Sequence, residues 1–189
     1  MAFEHYIYAD GKQLRCGYTT GTCAALAASG AVQRLLTGVW PETVSLRTPK
    51  GLTVEVPLEH CRMQGDTAQC SVRKDGGDDV DKTTGALIQA NVSLSDTPGV
   101  RIRGGQGVGR VTKPGLDQPV GEAAINRVPR QMIREAVEAA CRTADYDGGA
   151  EVTISVPEGE AIAQKTFNPQ MGIVGGISIL GTSGIVEPM

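Results

Sequence analysis

Aromatic side chains are scarce in this sequence: Phe, Trp and Tyr make up 4 % of 189 residues. A core built from it must rest on Val, Ile, Leu and Ala. A large excess of either charge is also lacking, with 18 Lys and Arg against 21 Asp and Glu. The formal net charge is -3, so no global basic field draws the chain to nucleic acid. No Cys-x-x-Cys pair occurs among the five cysteines Cys16, Cys23, Cys61, Cys70 and Cys141. Neither a zinc site nor a disulfide framework follows from that odd, scattered set. Reduced, buried thiols in a cytoplasmic protein are the expectation. No apolar run approaches the roughly 20 residues of a membrane span. The start, Met1 to Asp10, mixes polar and apolar residues, includes Glu4 and Asp10, and does not read as a signal peptide. Internal repeats and low-complexity segments are absent.

What remains is an ordinary globular composition, 40 % hydrophobic and 21 % charged. The length suits one domain, or one domain and the start of another, and can bury a core without staples. Glycine is abundant, at 25 residues. Many backbone positions are therefore expected at positive φ or in close approach to another group.

The element pattern is mixed. Tyr6 to Tyr8 reads as extended. An Ala-rich helix is expected from about Thr22 to Thr37, with Thr20 or Thr22 as N-cap and Gly38 as the stop. Val44 to Thr48 and Leu52 to Pro57 flank a hairpin turn at Pro49-Lys50-Gly51. Cys70 to Arg73, Leu87 to Leu94, Val100 to Arg103 and Glu151 to Val156 read as strands. A second helix is expected from Pro129 to about Thr143, with Met132, Ile133, Ala136, Val137, Ala140 and Cys141 as its apolar stripe. Glu158 to Lys165 suggests one or two helical turns. Strands that mostly do not alternate with helices predict an α+β fold: a two-layer domain of mostly antiparallel or mixed sheet with two main helices.

Four stretches carry chemistry. Thr19-Thr20-Gly21-Thr22 opens a helix and offers free N–H groups, hydroxyls and the positive end of the dipole to an anion, or simply an N-cap. Arg73-Lys74-Asp75-Gly76-Gly77-Asp78-Asp79-Val80-Asp81 packs four acids and two bases into one loop. Carboxylates so close can bind a hard cation or perturb one another, although the spacing excludes an EF-hand; a solvated turn is the alternative. Gly104-Gly105-Gln106-Gly107-Val108-Gly109 does not complete a dinucleotide fingerprint, because neither frame reaches its third glycine and Pro114 blocks the following helix. It can wrap an anion or a flat ring, or form a tight turn or bulge. Phe167 to Met189 is apolar and glycine-rich, suited to close approach or to a buried connection. The cations Arg73, Lys74, Arg101, Arg103, Arg110 and Lys113 form either a local basic cluster or a solvated sheet face.

Taken in order, these stretches resemble the CbiD family. The resemblance is carried by Gly17 to Ala25, Val72 to Asp79, Gly107 to Leu116, Gly121 to Asn126 with Val128-Pro129-Arg130, and Lys165 to Met189. It implies an enzyme that moves a methyl group from S-adenosylmethionine to C1 of cobalt-precorrin-5B, giving cobalt-precorrin-6A in anaerobic cobalamin biosynthesis. Cobalt enters only within the substrate, and no resident metal is implied. It also implies that residues 1–175 are an N-terminal α+β domain and that 176–189 begin a link to a Rossmann-like domain not contained in this chain. No nucleic-acid or membrane partner is implied.

Within that expectation Asp75, Asp78 and Asp79 are the candidate catalytic carboxylates, able to stabilise a sulfonium or accept a proton. Candidate substrate-binding residues are Tyr18, Thr19, Thr20, Gly21, Thr22, Arg73, Lys74, Gly107, Gly109, Lys113, Asn168, Gly175 and Gly176. Lys74 and Lys113 are expected as exposed cations facing the acetate and propionate carboxylates of the substrate. A non-catalytic tetrapyrrole-binding module, or an anion- or nucleotide-binding domain of another kind, are the competing readings.

Overall fold

The structure, a computed structural model, describes residues 3–189. In chain order it runs through β1 (Tyr6–Ala9), β2 (Lys12–Arg15), β3 (Gly17–Tyr18), α1 (Thr20–Thr37), β4 (Thr43–Arg47), β5 (Thr53–Pro57), β6 (Glu59–Gln64), β7 (Thr67–Arg73), β8 (Leu87–Ser95) and β9 (Val100–Gly104). It continues with β10 (Gly107–Val108), β11 (Arg110–Val111), α2 (Arg127–Thr143), β12 (Gly149–Ser155), α3 (Gly159–Ala163), α4 (Asn168–Met171), β13 (Ile173–Val174), β14 (Gly176–Ile177) and β15 (Ile185–Val186).

The fold is α+β. Its centre is a five-stranded sheet in the order β6-β7-β8-β12-β9. All neighbours are antiparallel except β12 and β9, so the sheet is mixed. Period-2 alternation builds the core face. Ala68, Cys70 and Val72 of β7 lie beside Val92, Ala90 and Ile88 of β8, and Val152 and Ile154 of β12 continue the rows. All of these are buried.

Against that face lies α1. Its first turns carry no charge, and every residue from Thr20 to Val32 is buried. A helix apolar on all sides belongs in the interior, and α1 is enclosed by the sheet, by α2 and by the tail. Its many alanines permit close approach, and the Cys70 thiol donates to the Ala27 carbonyl at 3.1 Å. Gly38 ends it in the left-handed region, φ 82°.

The two main helices and most strands fall where expected, with α1 starting at Thr20 and α2 at Arg127. Strand β6 was not expected. It is an edge strand, exposed almost throughout and bulged between Glu59 and Arg62, so no apolar alternation marks it. The glycine loop expected over 104–109 contains β10. The stretch expected as a link, 176–189, packs into the body: Ile177 and Ile179 are fully buried, and β14 and β15 pair with β10 and β3. Among the described residues no helix is long and apolar enough to cross a membrane.

Candidate functional site

The acidic loop after β7 folds onto β2 and β3. Gly17 makes this possible, since a Cβ there would strike the Asp75 carbonyl and Gly76 backbone. The Tyr18 amide donates to the Asp75 carbonyl at 2.8 Å, and the Tyr18 hydroxyl to the Arg73 carbonyl at 3.0 Å. Arg15 then grips the loop twice. Its guanidinium forks onto Asp75 at 2.8 and 3.0 Å, and its amide donates to Asp78 Oδ2 at 2.6 Å. The charge-assisted bonds from Arg15 hold the Asp75 carboxyl below the usual carboxylate range, and Asp75 in turn raises Arg15.

Lys74 corrects the expectation of an exposed cation. It is 3 % exposed and its ammonium is paired with Asp81. Burial pushes the Asp81 carboxyl up, but bonds from Lys74 and from the Thr83 amide and hydroxyl outweigh it and leave Asp81 lowered. Arg73 lies on the other side of the strand and pairs with Glu59 at 2.8 Å. Of the three candidate catalytic carboxylates, Asp75 and Asp78 are therefore engaged by Arg15. Asp79, half-buried, makes no side-chain hydrogen bond among the described residues.

The start of α1 is closed by the tail, not open to an anion. Thr19 Oγ1 caps the Thr22 amide at 3.2 Å, and Thr22 Oγ1 donates to the Gly184 carbonyl at 2.8 Å. Thr20 Oγ1 accepts from the Leu180 amide at 3.0 Å. Gly21 donates its own amide to the Leu180 carbonyl at 3.0 Å, and a Cβ there would meet Pro129 Cγ at 2.7 Å. Gly21 serves close packing, and all three threonines are buried.

Gly107, Gly109 and Gly176 belong to a second cluster. Gly107 has φ 76°, and its backbone lies against Val156, Gly159 and Gly176 so tightly that a Cβ at Gly107, Gly159 or Gly176 would overlap a carbonyl. Gly109 donates to the Ile177 carbonyl at 2.9 Å. These glycines bring backbone to backbone. Gly175 differs, with φ 92° and open space where a Cβ would be. Asn168 accepts from the Ser178 hydroxyl at 3.2 Å, tying α4 to the tail. Lys113 is exposed, its stem against Gly172 and its amine 3.4 Å from the Gln170 carbonyl.

The fold thus brings the predicted residues together in two groups on either side of the α1 start, the acidic loop and the glycine cluster. It disperses the cations. Arg101 and Arg103 sit on the polar sheet face beside Glu151, at 3.4 and 3.9 Å. Reading the sequence missed Arg15 and Asp81. The clamp joins residues 60 positions apart, and no local signal pairs them. It also missed a cavity of about 910 Å³ between α1, α2 and β4, floored by Leu36, Leu46, Met132 and Ala136, with Gln33 and Glu135 at its walls. None of the predicted site residues lines it.

The CbiD family model matches residues 7–188. The chain belongs to the CbiD family. It is similar to the cobalt-precorrin-5B C(1)-methyltransferase of Geobacillus kaustophilus, 58 % identical over 177 residues, which are 94 % of this chain and 48 % of that protein. The protein of the same name from Ruminiclostridium cellulolyticum is 51 % identical over 98 % of this chain and 48 % of its own. The chain spans about half the length of the curated relatives it matches. Among solved structures it is similar to the cobalamin biosynthesis protein (cbiD) from Archaeoglobus fulgidus. There the TM-score is 0.73 at 38 % identity, covering 97 % of this chain and 58 % of the other. The matched span takes in the clamp, the glycine cluster and the tail that closes α1.

Proposed function

We propose that this chain is the N-terminal half of a cobalt-precorrin-5B C1-methyltransferase, using S-adenosylmethionine as methyl donor in anaerobic cobalamin biosynthesis in the cytoplasm. The observation that carries it is 58 % identity over 94 % of the chain to a protein bearing that name. In the reaction a C–C bond forms at C1 as the C–S bond of the sulfonium breaks, so positioning of the two reactants is the main demand.

The residues fit that demand in distinct ways. Asp79 is the carboxylate left free to face a sulfonium or take a proton. Asp75 and Asp78, held by Arg15, position the loop that carries it. Lys74 with Asp81 fixes the same loop from inside. Lys113, Asn168 and Gly175 lie at the accessible side of the glycine cluster, where a carboxylate-bearing macrocycle finds a cation and open space. Gly107, Gly109 and Gly176 act from behind, by setting that surface.

A chimera tests the reading. Residues 7–188 replace the matched half of the Geobacillus kaustophilus relative, and transfer of labelled methyl to cobalt-precorrin-5B is measured. Product formation supports the proposal. A folded chimera that binds the tetrapyrrole and transfers nothing would make this half a binding module only.

A further inference from the structure

The tail exposes apolar side chains where it has no structural need to. Phe167 is 79 % exposed, Met171 48 % and Val174 56 %. Phe167 and Met171 stand one turn apart, joined by the Met171 amide to the Phe167 carbonyl at 3.1 Å. Val174 lies opposite Arg110 in the β11–β13 pair, so the two side chains share a face. The stem of Lys113 runs over Gly172, where a Cβ would collide with it, and this contact holds the ammonium beside the same segment.

Both cations here are directed to carbonyls: Arg110 to Gly121 at 2.7 Å and Lys113 to Gln170 at 3.4 Å. Among the described residues neither is paired with a carboxylate within the 4.0 Å of an ion pair. Arg73, Arg101 and Arg103, by contrast, all have a glutamate partner. The nearby acid is Glu122, which is exposed and follows Gly121. An exposed apolar surface flanked by uncompensated cations is complementary to a molecule with an apolar face and an anionic edge.

We propose that Phe167, Met171 and Val174, with Arg110 and Lys113, form a docking surface for a carboxylate-bearing tetrapyrrole. The three apolar side chains cover the macrocycle's face and the two cations take its peripheral carboxylates. This rests on the tetrapyrrole reading above and adds the surface that reading lacks.

The test titrates this chain with cobyrinic acid, a cobalt corrinoid with free carboxylates, and follows the corrinoid absorbance. The variants are Phe167→Ser, Val174→Ser and Lys113→Gln. All three positions are exposed, so their melting temperatures should match the parent within the small range typical of surface changes. Each variant is expected to weaken binding tenfold or more, and the loss in Lys113→Gln should shrink at high salt. Parent-like affinity in all three would overturn the surface while leaving the tetrapyrrole reading intact. If the parent chain binds no corrinoid, the docking surface is overturned, and methyl transfer by the chimera decides the tetrapyrrole reading separately. If Phe167→Ser instead turns a dimer into a monomer in sedimentation, the surface joins copies of this chain and the proposal is wrong.

Discussion

Lys74 and Asp81 form an ion pair inside the protein, with the lysine side chain 2 % exposed and the aspartate side chain 23 % exposed. The two ends are unequal in what they lose when the pair is broken. Asp81→Ala leaves an ammonium buried with no partner and should destabilise the chain by about 3–5 kcal/mol. Lys74→Met leaves a carboxylate that still accepts from the Thr83 amide and hydroxyl and still touches water. Its cost should be about 1–2 kcal/mol. Urea unfolding of both variants checks the order, and an equal loss would mean that solvent reaches Lys74.

The Arg15–Asp75 fork carries a pH dependence of defined sign. Asp75 is held below its ordinary value, chiefly by the bond from Arg15. Its folded pKa is therefore lower than its unfolded value of about 3.9. The stability it contributes is complete above that unfolded value and is lost as pH falls through the folded one. The melting temperature of the parent should drop steeply below about pH 4. Asp75→Asn should lower it near neutrality and flatten the acid limb. A variant curve parallel to the parent from pH 7 to pH 2 would remove Asp75 from the account.

Two glycines separate backbone strain from backbone contact. Gly107 and Gly175 both lie at positive φ, 76° and 92°. A Cβ at Gly175 meets nothing, so Gly175→Ala should cost only the left-handed penalty, about 1–2 kcal/mol. A Cβ at Gly107 overlaps the Val156 carbonyl. Backbone on both sides cannot yield, so Gly107→Ala should cost several times more and give little soluble protein. Circular dichroism melts of the pair decide it; equal losses would mean that the cluster can open.

The contrast between these glycines also shows where a sequence becomes hard to read. Helix α1 is legible because its signals are local, an alanine run and Gly38, although the cap is Thr19 and not the expected Thr20 or Thr22. Strands β7, β8 and β12 are legible because alternate residues face one core. Strand β6 is not, because an exposed edge has no buried face to alternate. The abundance of glycine predicts close approach, but not to what. Gly107 meets Gly159 and Gly176, far away along the chain, and only the fold says that the neighbour is protein backbone. Lys74 reads as a surface cation beside four acids, yet which acid it meets depends on how Gly76 and Gly77 turn the loop.

The start of α1 offers the sharpest contest between a ligand site and a structural joint. Three threonines and a glycine there resemble an anion site, but each has a partner in the tail or the helix itself. Thr19 caps the Thr22 amide, and Thr20 accepts from the Leu180 amide while lying within 3.4 Å of the Ser178 and Leu180 carbonyls. Losing an N-cap costs about 0.5–2 kcal/mol. Losing the partner of a buried amide costs a further 1–3 kcal/mol or so. The double variant Thr19→Ala with Thr20→Ala should therefore lower stability by about 2–4 kcal/mol. At roughly 2–4 °C per kcal/mol for a domain of this size, the melting temperature falls by about 5–15 °C. Corrinoid affinity, measured below the lowered transition, should equal that of the parent, since no hydroxyl in the turn is open to a ligand. A variant that melts with the parent but binds cobyrinic acid more weakly would show that the tail moves aside and that the helix start does receive an anion.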